Sequence, residues 1–283
     1  MAHTAAPSAR RRRLGAELRK MREHAGMTVA YAAQQLGAEG SRVSNIEAGR
    51  LGVSEERVRM LAAIYSCGDQ AYIDALAAMA TERGRGWWED YRERMAVDAL
   101  DLAELESHAV SLRAVQIMHV PGLLQTEDYA NAVFSTAEPA LTPAQLRVNV
   151  SFRLRRREVL DRDDLPQFTF LIHEAALRME WGGPKVARGQ LERLLEASEW
   201  DNVTVRAIPF AAGGFPHAGA SAAYVRGVVP QLDTVQLDTP TGVTFLDGET
   251  HLANYRRILD RTERLALAPE DTRAFIQAIA QRL

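Results

Sequence analysis

Apolar residues recur every three or four positions along the first eighty residues, a spacing that predicts helices separated by short breaks. Gly26, Gly37 and Gly49 interrupt the pattern, and glycine commonly ends helices. Thr28 and Ser54 stand where helices should begin, because a hydroxyl can satisfy a free backbone N–H group there. The predicted helices cover residues 11–25, 29–36, 39–48, 55–65 and 69–83.

After a break at residues 84–86, short apolar runs bounded by turn residues indicate strands, with helical stretches between them. The predicted strands cover residues 112–118, 167–173, 203–208, 220–225, 234–237 and 242–246. The predicted helices cover residues 124–134, 143–160, 184–198, 249–267 and 269–282. Because strands and helices do not alternate regularly, an α+β fold is favoured over a doubly wound sheet.

These patterns divide the chain into three segments. Residues 1–10 are small and polar, become basic at Arg10, and are expected to be a disordered arm. Residues 11–84 form the predicted all-α five-helix domain, and residues 85–283 form the larger α+β domain. A chain of 283 residues is long enough for about two domains.

The composition is that of an ordinary soluble globular protein, with 47% hydrophobic and 25% charged residues. The single cysteine, Cys67, excludes an intramolecular disulfide and suits a reducing cytoplasm. No apolar run approaches the roughly 18 residues that span a membrane, and the N-terminal arginines precede no signal-peptide core. We therefore expect a cytoplasmic protein.

The net charge of −3 conceals an uneven distribution. Residues 1–50 hold nine lysines and arginines but only four acidic residues, so this segment carries about +5 and the remainder about −8. A basic segment on an acidic chain is typical of local contact with nucleic acid. A solvated basic tail would give the same charges, so charge alone leaves both interpretations open.

Residues 27–50 combine two short helices with a tight turn at Gly37, which is the arrangement of a helix-turn-helix. In this motif the first residues of the second helix enter the major groove of DNA. Val43 and Ile46 are predicted to face the core, which leaves short polar residues on the open face. A helical hairpin that binds only proteins is the alternative interpretation of this spacing.

Each polar residue type on the open face has a chemical reason to contact DNA. Arg42 can pair with guanine or a phosphate, and Asn45 can pair with adenine N6 and N7. Ser41 and Ser44 can bond a base edge or the backbone, and Thr28 can bond a phosphate at a helix N-terminus. The candidate DNA-binding residues are Arg11, Arg12, Arg13, Thr28, Gly40, Ser41, Arg42, Ser44, Asn45 and Arg50.

Three features complete the predicted interface with double-stranded DNA. Arg11, Arg12 and Arg13 are expected to form an arm along the DNA backbone, since arginines bind phosphates. Gly40 lacks a side chain and allows a close approach of the backbone. A single module of this size gives modest affinity, so we expect a homodimer on a two-fold operator.

The strings "LRKMREHAGMTVAYAAQQLG" and "SRVSNIEAGR" resemble an XRE-type, lambda-repressor-like DNA-binding domain of five helices. This resemblance implies that Glu47 is a structural residue. The string "VPGLLQTEDYA", residues 120–130, resembles the signature of a domain that follows XRE-type domains in many actinobacterial regulators. Further matching strings are "WWEDY", "RLRRREVL", "IHEAALR", "VTVRAIPF" and "YRRILDRTERLALAPEDTR".

The resemblance covers most of the chain and implies a transcription regulator whose second domain responds to a small-molecule ligand or a partner. Such proteins resemble antitoxins and are often encoded beside a small acidic protein. The resemblance therefore also implies an alternative, in which the chain neutralises an acidic partner and regulates its own expression.

The second domain supplies two groups of candidate binding residues. Arg153, Arg155, Arg156 and Arg157 form a cationic run on one predicted helix, where like charges repel each other. An acidic partner protein, intramolecular carboxylates or simple solvation would each account for this run. Residues 120–130 are interpreted as either a structural cap or the rim of a pocket. The candidate pocket residues are Trp88, Gln125, Phe215 and His217, for which core packing and a surface loop are the alternatives.

The sequence contains no complete catalytic motif. His173-Glu174 begins like the zinc-binding motif H-E-x-x-H, but Leu177 stands where the second histidine belongs. The seven histidines lack metal-ligand spacing, and P-loop, G-x-S-x-G and dinucleotide motifs are missing. We expect no metal, no cofactor and no enzyme activity, an enzyme being the least favoured alternative. The favoured function is a DNA-binding transcription regulator, associated with the nucleoid when bound to DNA.

Overall fold

The computed structural model describes residues 7–82, 85–239 and 242–283. The chain divides into two compact units, Met1–Gly86 and Trp87–Leu283. Gly84, at the predicted domain break, and residues 1–6 of the segment expected to be disordered lie outside the described residues.

The described part of the first unit is all-α and forms five helices, as predicted. They are α1 Ala9–His24, α2 Val29–Leu36, α3 Gly40–Glu47, α4 Glu55–Ile64 and α5 Gln70–Thr81. Side chains at three- and four-residue spacing meet in the core, where Leu18, Val58 and Leu76 are fully buried. Thr28 and Ser54 cap α2 and α4 by accepting hydrogen bonds from backbone N–H groups.

α1 begins at Ala9, two residues before its predicted start, because the Ser8 hydroxyl accepts a hydrogen bond from Arg11 N–H and caps the helix. Arg12 and Arg13 follow within the helix, where Arg12 donates to the carbonyl of residue 7 and Arg13 donates to the carboxylate of residue 17. Ala9 and Arg10, which were expected to belong to the disordered segment, are therefore helical, and Arg11, Arg12 and Arg13 form the basic N-terminal end of α1.

The second unit is a mixed α/β structure, as predicted, with one six-stranded sheet in its described part. The strands are β1 Ser111–Gln116, β2 Gln167–His173, β3 Val203–Ile208, β4 Ala222–Arg226, β5 Thr234–Thr239 and β6 Gly242–Leu246. Their order in the sheet is β3-β2-β1-β4-β5-β6. β1, β2 and β3 are parallel, and β4, β5 and β6 extend the sheet by antiparallel pairing.

Helices cover both faces of this sheet. They are α6 Val97–Ser107, α7 Glu127–Phe134, α8 Pro143–Arg156, α9 Glu174–Arg178, α10 Pro184–Ala197, α11 Glu249–Leu265 and α12 Pro269–Ala280. On one face, Leu112 and Phe170 pack with residues of α7, α10 and α12. On the other face, Leu171 and Val235 pack against α11. The strands thus bury side chains on both faces, and the unit has three layers.

The predicted helices over residues 124–134 and 143–160 are not α-helical throughout, because each range includes residues of a 3-10 helix. Short 3-10 helices at Gly122–Leu124 and Arg157–Asp161 flank α7 and α8. Further 3-10 helices lie at Trp87–Tyr91, Phe210–Ala212 and Pro230–Leu232.

The sequence pattern did not predict α6, which has an acidic buried face. Asp101, Glu104 and Glu106 of α6 are all buried. Glu106 forms an ion pair with Arg156 of α8, at 2.6 Å between Oε1 and Nη2. Leu100, Leu102 and Ala103 of α6 are buried as well, so buried apolar and acidic residues are mixed along the helix and no single apolar side marks it in the sequence.

Candidate nucleic-acid interface

α2 and α3 form the helix-turn-helix, and α1 supports the back of α3. At Gly15 of α1, a Cβ atom would lie 2.4 Å from the carbonyl oxygen of Ile46, so no side chain fits there. Val43 and Ile46 are buried on this side of α3. The opposite side of α3 is left exposed.

A buried ion pair holds the C-terminal end of α3. Arg22 donates from Nε and Nη2 to the two carboxylate oxygens of Glu47, at 2.6 and 2.9 Å. Its Nη1 donates to the carbonyl oxygen of Met27 at 2.7 Å. Hydrogen bonding to Glu47 raises the pKa of Arg22, so the guanidinium stays charged. Glu47 therefore belongs to the scaffold, as the resemblance implied.

The exposed side of α3 presents the residues that were predicted to contact bases. Ser41, Arg42 and Ser44 are exposed, and Asn45 is half-buried. Ser41 donates to the Glu39 carboxylate at 3.2 Å. Within residues 7–82, no hydrogen bond or ion pair engages the side chains of Arg42 and Ser44. Their polar atoms are available to a base edge or a phosphate.

Arg50 follows α3 and folds back over Asn45, where its Nε donates to Asn45 Oδ1 at 3.0 Å. Gly49 permits this turn, because its φ of +70° lies in the left-handed region and a Cβ there would lie 2.9 Å from Arg12 Cα. Arg11 Nη2 lies 3.5 Å from the Arg50 carbonyl oxygen. Arg11, Asn45 and Arg50 thus form one polar group beside the exposed side of α3.

Thr28 and Gly40 lie at the N-terminal ends of α2 and α3. The Thr28 hydroxyl accepts a hydrogen bond from Tyr31 N–H at 3.2 Å, and its own proton can still be donated to a phosphate. At Gly40, a Cβ atom would meet only Val29 Cγ1, at 3.9 Å. Packing within the first unit therefore does not require glycine at this position.

Glu39 is an exposed residue at this surface that the sequence analysis did not select. It precedes α3 directly and occupies the N-cap position without a side-chain capping bond. A carboxylate here repels phosphates but can accept a hydrogen bond from cytosine N4. Its place immediately before α3 is the signal that could have identified it.

The arginine run of α8 lies partly inside the second unit. Arg156 donates to both carboxylate oxygens of Glu106, at 2.6 and 2.8 Å. Arg153 donates to Gln125 Oε1 at 2.7 Å and lies over the Phe134 ring. Burial lowers the pKa of Arg153 to about 10, so this side chain is still charged at neutral pH. Both arginines therefore have intramolecular partners, and for Arg156 the partner is a carboxylate, as one of the three explanations of the run had predicted.

Arg155 and Arg157 are the remaining members of the run. Arg155 lies 3.6 Å from Asp90 and over the Trp87 ring, and its side chain is 39% exposed. Burial lowers the pKa of Arg157, which is partly buried. In the described part of the chain, Arg155 and Arg157 are thus the members of the run without a close intramolecular hydrogen bond to a side chain, and binding of an acidic partner by the run stays a prediction.

The four predicted pocket residues do not come together. Trp88 is buried in an aromatic cluster, and Gln125 is buried with its amide donating to a backbone carbonyl. Phe215 packs on the face of the sheet that α11 covers, in the cluster that contains Leu171 and Val235. His217 contacts the Tyr255 ring on that face. Trp88 and Phe215 therefore belong to different clusters, and the structure does not join the four residues into one pocket.

A groove does occur in the second unit, between α7 and α10, with a volume of about 650 Å³. Its lining residues are Thr126, Asp128, Asn131, Ala132, Lys185, Val186, Arg188, Gly189 and Glu192. Thr126 and Asp128 belong to the string "VPGLLQTEDYA", so the signature segment contributes to one wall of the groove.

Neither a candidate membrane span nor a candidate metal cluster occurs in residues 7–82, 85–239 and 242–283. None of the helices there is both long enough and apolar enough to cross a membrane. No three His, Cys, Asp or Glu side chains there are grouped so as to hold a metal ion.

Comparison with protein-family models gives two matches. A model described as "Helix-turn-helix domain" matches residues 13–76, and a model described as "Domain of unknown function (DUF5753)" matches residues 99–278. No curated protein and no solved structure matches the chain. Because the second model spans well over half of the 283 residues, the protein belongs to the DUF5753 family, with a helix-turn-helix domain preceding the domain that defines the family.

Proposed function

We propose that this protein is a sequence-specific DNA-binding transcription regulator whose α3 enters the major groove. The observation that carries the proposal is the exposed polar side of α3, where Ser41, Arg42 and Ser44 project from a helix that Gly15 and Glu47 hold from behind. Recognition requires base-contacting side chains on a rigidly supported element. The match to a helix-turn-helix domain supports the same function.

The surrounding groups suit the DNA backbone. Arg11 and Arg50 place two guanidinium groups beside α3, and Thr28 places a hydroxyl and free N–H groups at the start of α2. Contacts of this kind bind phosphates and set the position of the protein on the duplex. Arg42 and Asn45 then supply the contacts to base edges.

The proposal extends to a cytoplasmic homodimer on a two-fold operator, because one module of this size buries a modest interface on DNA. The second unit is proposed to control DNA binding through a ligand or a partner, with no catalytic step. The alternative of an antitoxin that binds a small acidic protein has less support, because Arg153 and Arg156 already have intramolecular partners.

Gel-shift assays of the full-length protein, with DNA fragments from around its own gene at about 50 mM salt, test this function. At least one fragment should shift and resist unrelated competitor DNA. Arg42→Ala should cost about 1–3 kcal/mol of binding free energy and relax the sequence preference. Arg264→Ala is the matched control, because it removes an exposed arginine of α11 and should leave the shift unchanged. Folded protein that shifts no fragment would contradict the proposal.

A further inference from the structure

The groove between α7 and α10 has the size of a small-molecule site. Its volume of about 650 Å³ lies within the roughly 300–1,000 Å³ that such sites occupy. Ala132, Val186 and Gly189 are its half-buried small or apolar residues, and exposed charged residues surround them. Six of the nine lining residues are polar or charged, so polar and ionic contacts would supply most of the recognition of a ligand.

Buried hydrogen bonds connect the two walls of the groove. Gln190 of α10 is 1% exposed, and its Nε2 donates to the carbonyl oxygen of Leu124 at 2.9 Å. Its Oε1 accepts a hydrogen bond from Thr126 N–H at 2.8 Å. Gly182, just before α10, approaches α7 closely, since a Cβ there would lie 3.0 Å from Ala132 Cβ. The groove is therefore formed without a ligand, which lowers the cost of binding one.

The charged residues of the lining are balanced in sign. Asp128 and Glu192 supply two carboxylates, and Lys185 and Arg188 supply two cations. In the described part of the chain, no hydrogen bond or ion pair engages any of these four side chains. A polyanion would meet two carboxylates here and a polycation would meet two cations. The lining therefore favours a ligand that carries one charge of each sign.

We propose that this groove binds a small zwitterion, with a free ammonium group and a free carboxylate joined by an apolar middle, as in an amino acid or a short peptide. The carboxylate pairs with Lys185 and Arg188 of α10, and the ammonium group pairs with Asp128 of α7. The apolar middle lies on Ala132 and Val186. The proposal names a ligand class for the second unit, and only its regulatory consequence rests on the proposed DNA-binding function.

Isothermal titration calorimetry of the full-length protein tests the ligand chemistry. Free leucine and the tripeptide Gly-Leu-Gly distinguish an amino acid from a peptide as the ligand. The N-acetylated and C-amidated forms of each probe lack one of its two end charges. At least one probe with free ends should bind saturably, and each modification of that probe should weaken binding about tenfold or more, because it removes a charge-assisted hydrogen bond. Absence of binding by both probes, or equal binding of the modified and free forms, overturns the proposal.

Gly189→Leu tests the location of the site. No atom lies within 4 Å of a Cβ placed at Gly189, so a leucine there extends into the groove without disturbing α10. Binding of the responsive probe should fall by about tenfold or more, and the midpoint of thermal unfolding should not fall, since leucine favours helix more than glycine does. Arg188→Glu should also weaken binding. Arg257→Glu makes the same charge change at an exposed position of α11 and should leave binding unchanged. Undiminished binding by Gly189→Leu overturns the assignment.

The same samples are tested for DNA binding in a separate gel-shift assay. Protein that binds a zwitterion in the groove but shifts no DNA contradicts the proposed function and leaves the groove assignment standing. Protein that shifts DNA but binds neither probe contradicts the groove assignment alone.

Discussion

At the scale of single residues, two tyrosines of the first unit differ in how their buried hydroxyls are satisfied. The Tyr72 hydroxyl donates to the Glu17 carboxylate. The Tyr65 hydroxyl is buried and has no hydrogen-bond partner among the described residues. Burial raises the pKa of Tyr65 to about 12, so its hydroxyl stays neutral. A buried hydroxyl without a partner costs free energy that a phenyl ring does not.

Tyr65→Phe should therefore raise the free energy of unfolding by roughly 1 kcal/mol. Tyr72→Phe is the matched control, and it should lower the free energy of unfolding by about 1–3 kcal/mol, because it removes a hydrogen bond to a charged group. Urea denaturation followed by circular dichroism measures both. Destabilisation by Tyr65→Phe as large as that by Tyr72→Phe would contradict the expectation.

Arg50 should set the base preference of Asn45. The hydrogen bond from Arg50 occupies one lone pair of Asn45 Oδ1 and fixes the orientation of the amide, and it therefore competes with the bidentate pairing to adenine N6 and N7. Arg50→Ala frees Oδ1 and should shift the preference at the contacted base pair toward adenine, by about 1–3 kcal/mol. Selection from a randomised operator library measures the shift. Arg11→Ala is the control, and it should weaken DNA binding without changing the preferred base. If Arg50→Ala keeps the base preference of the wild type, Arg50 does not set the preference of Asn45.

At the scale of elements, two glycines inside helices meet opposite surroundings. Gly15 of α1 faces the backbone of α3, whereas Gly189 of α10 faces the open groove. Glycine inside a helix lowers stability by roughly 0.5–1 kcal/mol relative to alanine, because it has more conformational freedom in the unfolded chain. Replacing glycine is therefore favourable only where space exists for a side chain.

Gly15→Ala should lower the free energy of unfolding of the first unit by roughly 1–3 kcal/mol, because the new methyl group separates α1 from α3. It should also weaken DNA binding, since α1 supports the recognition helix. Gly189→Ala should instead stabilise the second unit by about 0.5–1 kcal/mol. Thermal unfolding followed by circular dichroism compares the two. A Gly15→Ala protein as stable as the wild type would show that α1 and α3 do not approach so closely.

At the scale of the whole molecule, the charges separate along the chain. Residues 1–50 carry about +5, while the remainder is acidic. The exposed Arg11, Arg42 and Arg50 all lie in this basic segment. Binding to a polyanion should therefore depend on the first unit and respond strongly to salt.

The logarithm of the DNA association constant should fall linearly with the logarithm of salt concentration, and Arg11→Ala should reduce the slope by about one. Fluorescence anisotropy titrations between about 50 and 200 mM salt measure this slope. Arg264→Ala removes an equal charge from the second unit and should leave the slope unchanged. An affinity that does not vary with salt would exclude the proposed phosphate contacts.

Local patterns determined the helices of the first unit and the strands of the second. Helical periodicity placed Val43 and Ile46 in the core and left Ser41, Arg42 and Ser44 exposed, because which side of a helix a residue occupies depends on near neighbours alone. Apolar runs bounded by turn residues located the six strands for the same reason. The sequence by itself therefore determined the two-part architecture and the exposed side of the recognition helix.

Only the tertiary structure decided which residues meet across the chain. Glu106 and Arg156 are 50 positions apart in the sequence, and their pairing turns an arginine of the expected cationic run toward a buried carboxylate of α6. Thr126 and Gln190 bond over 64 positions and bring α7 and α10 together beside the groove. The strand order likewise depends on pairing between distant segments. No local pattern records such partners, because their contact energy is gained only when the chain has folded.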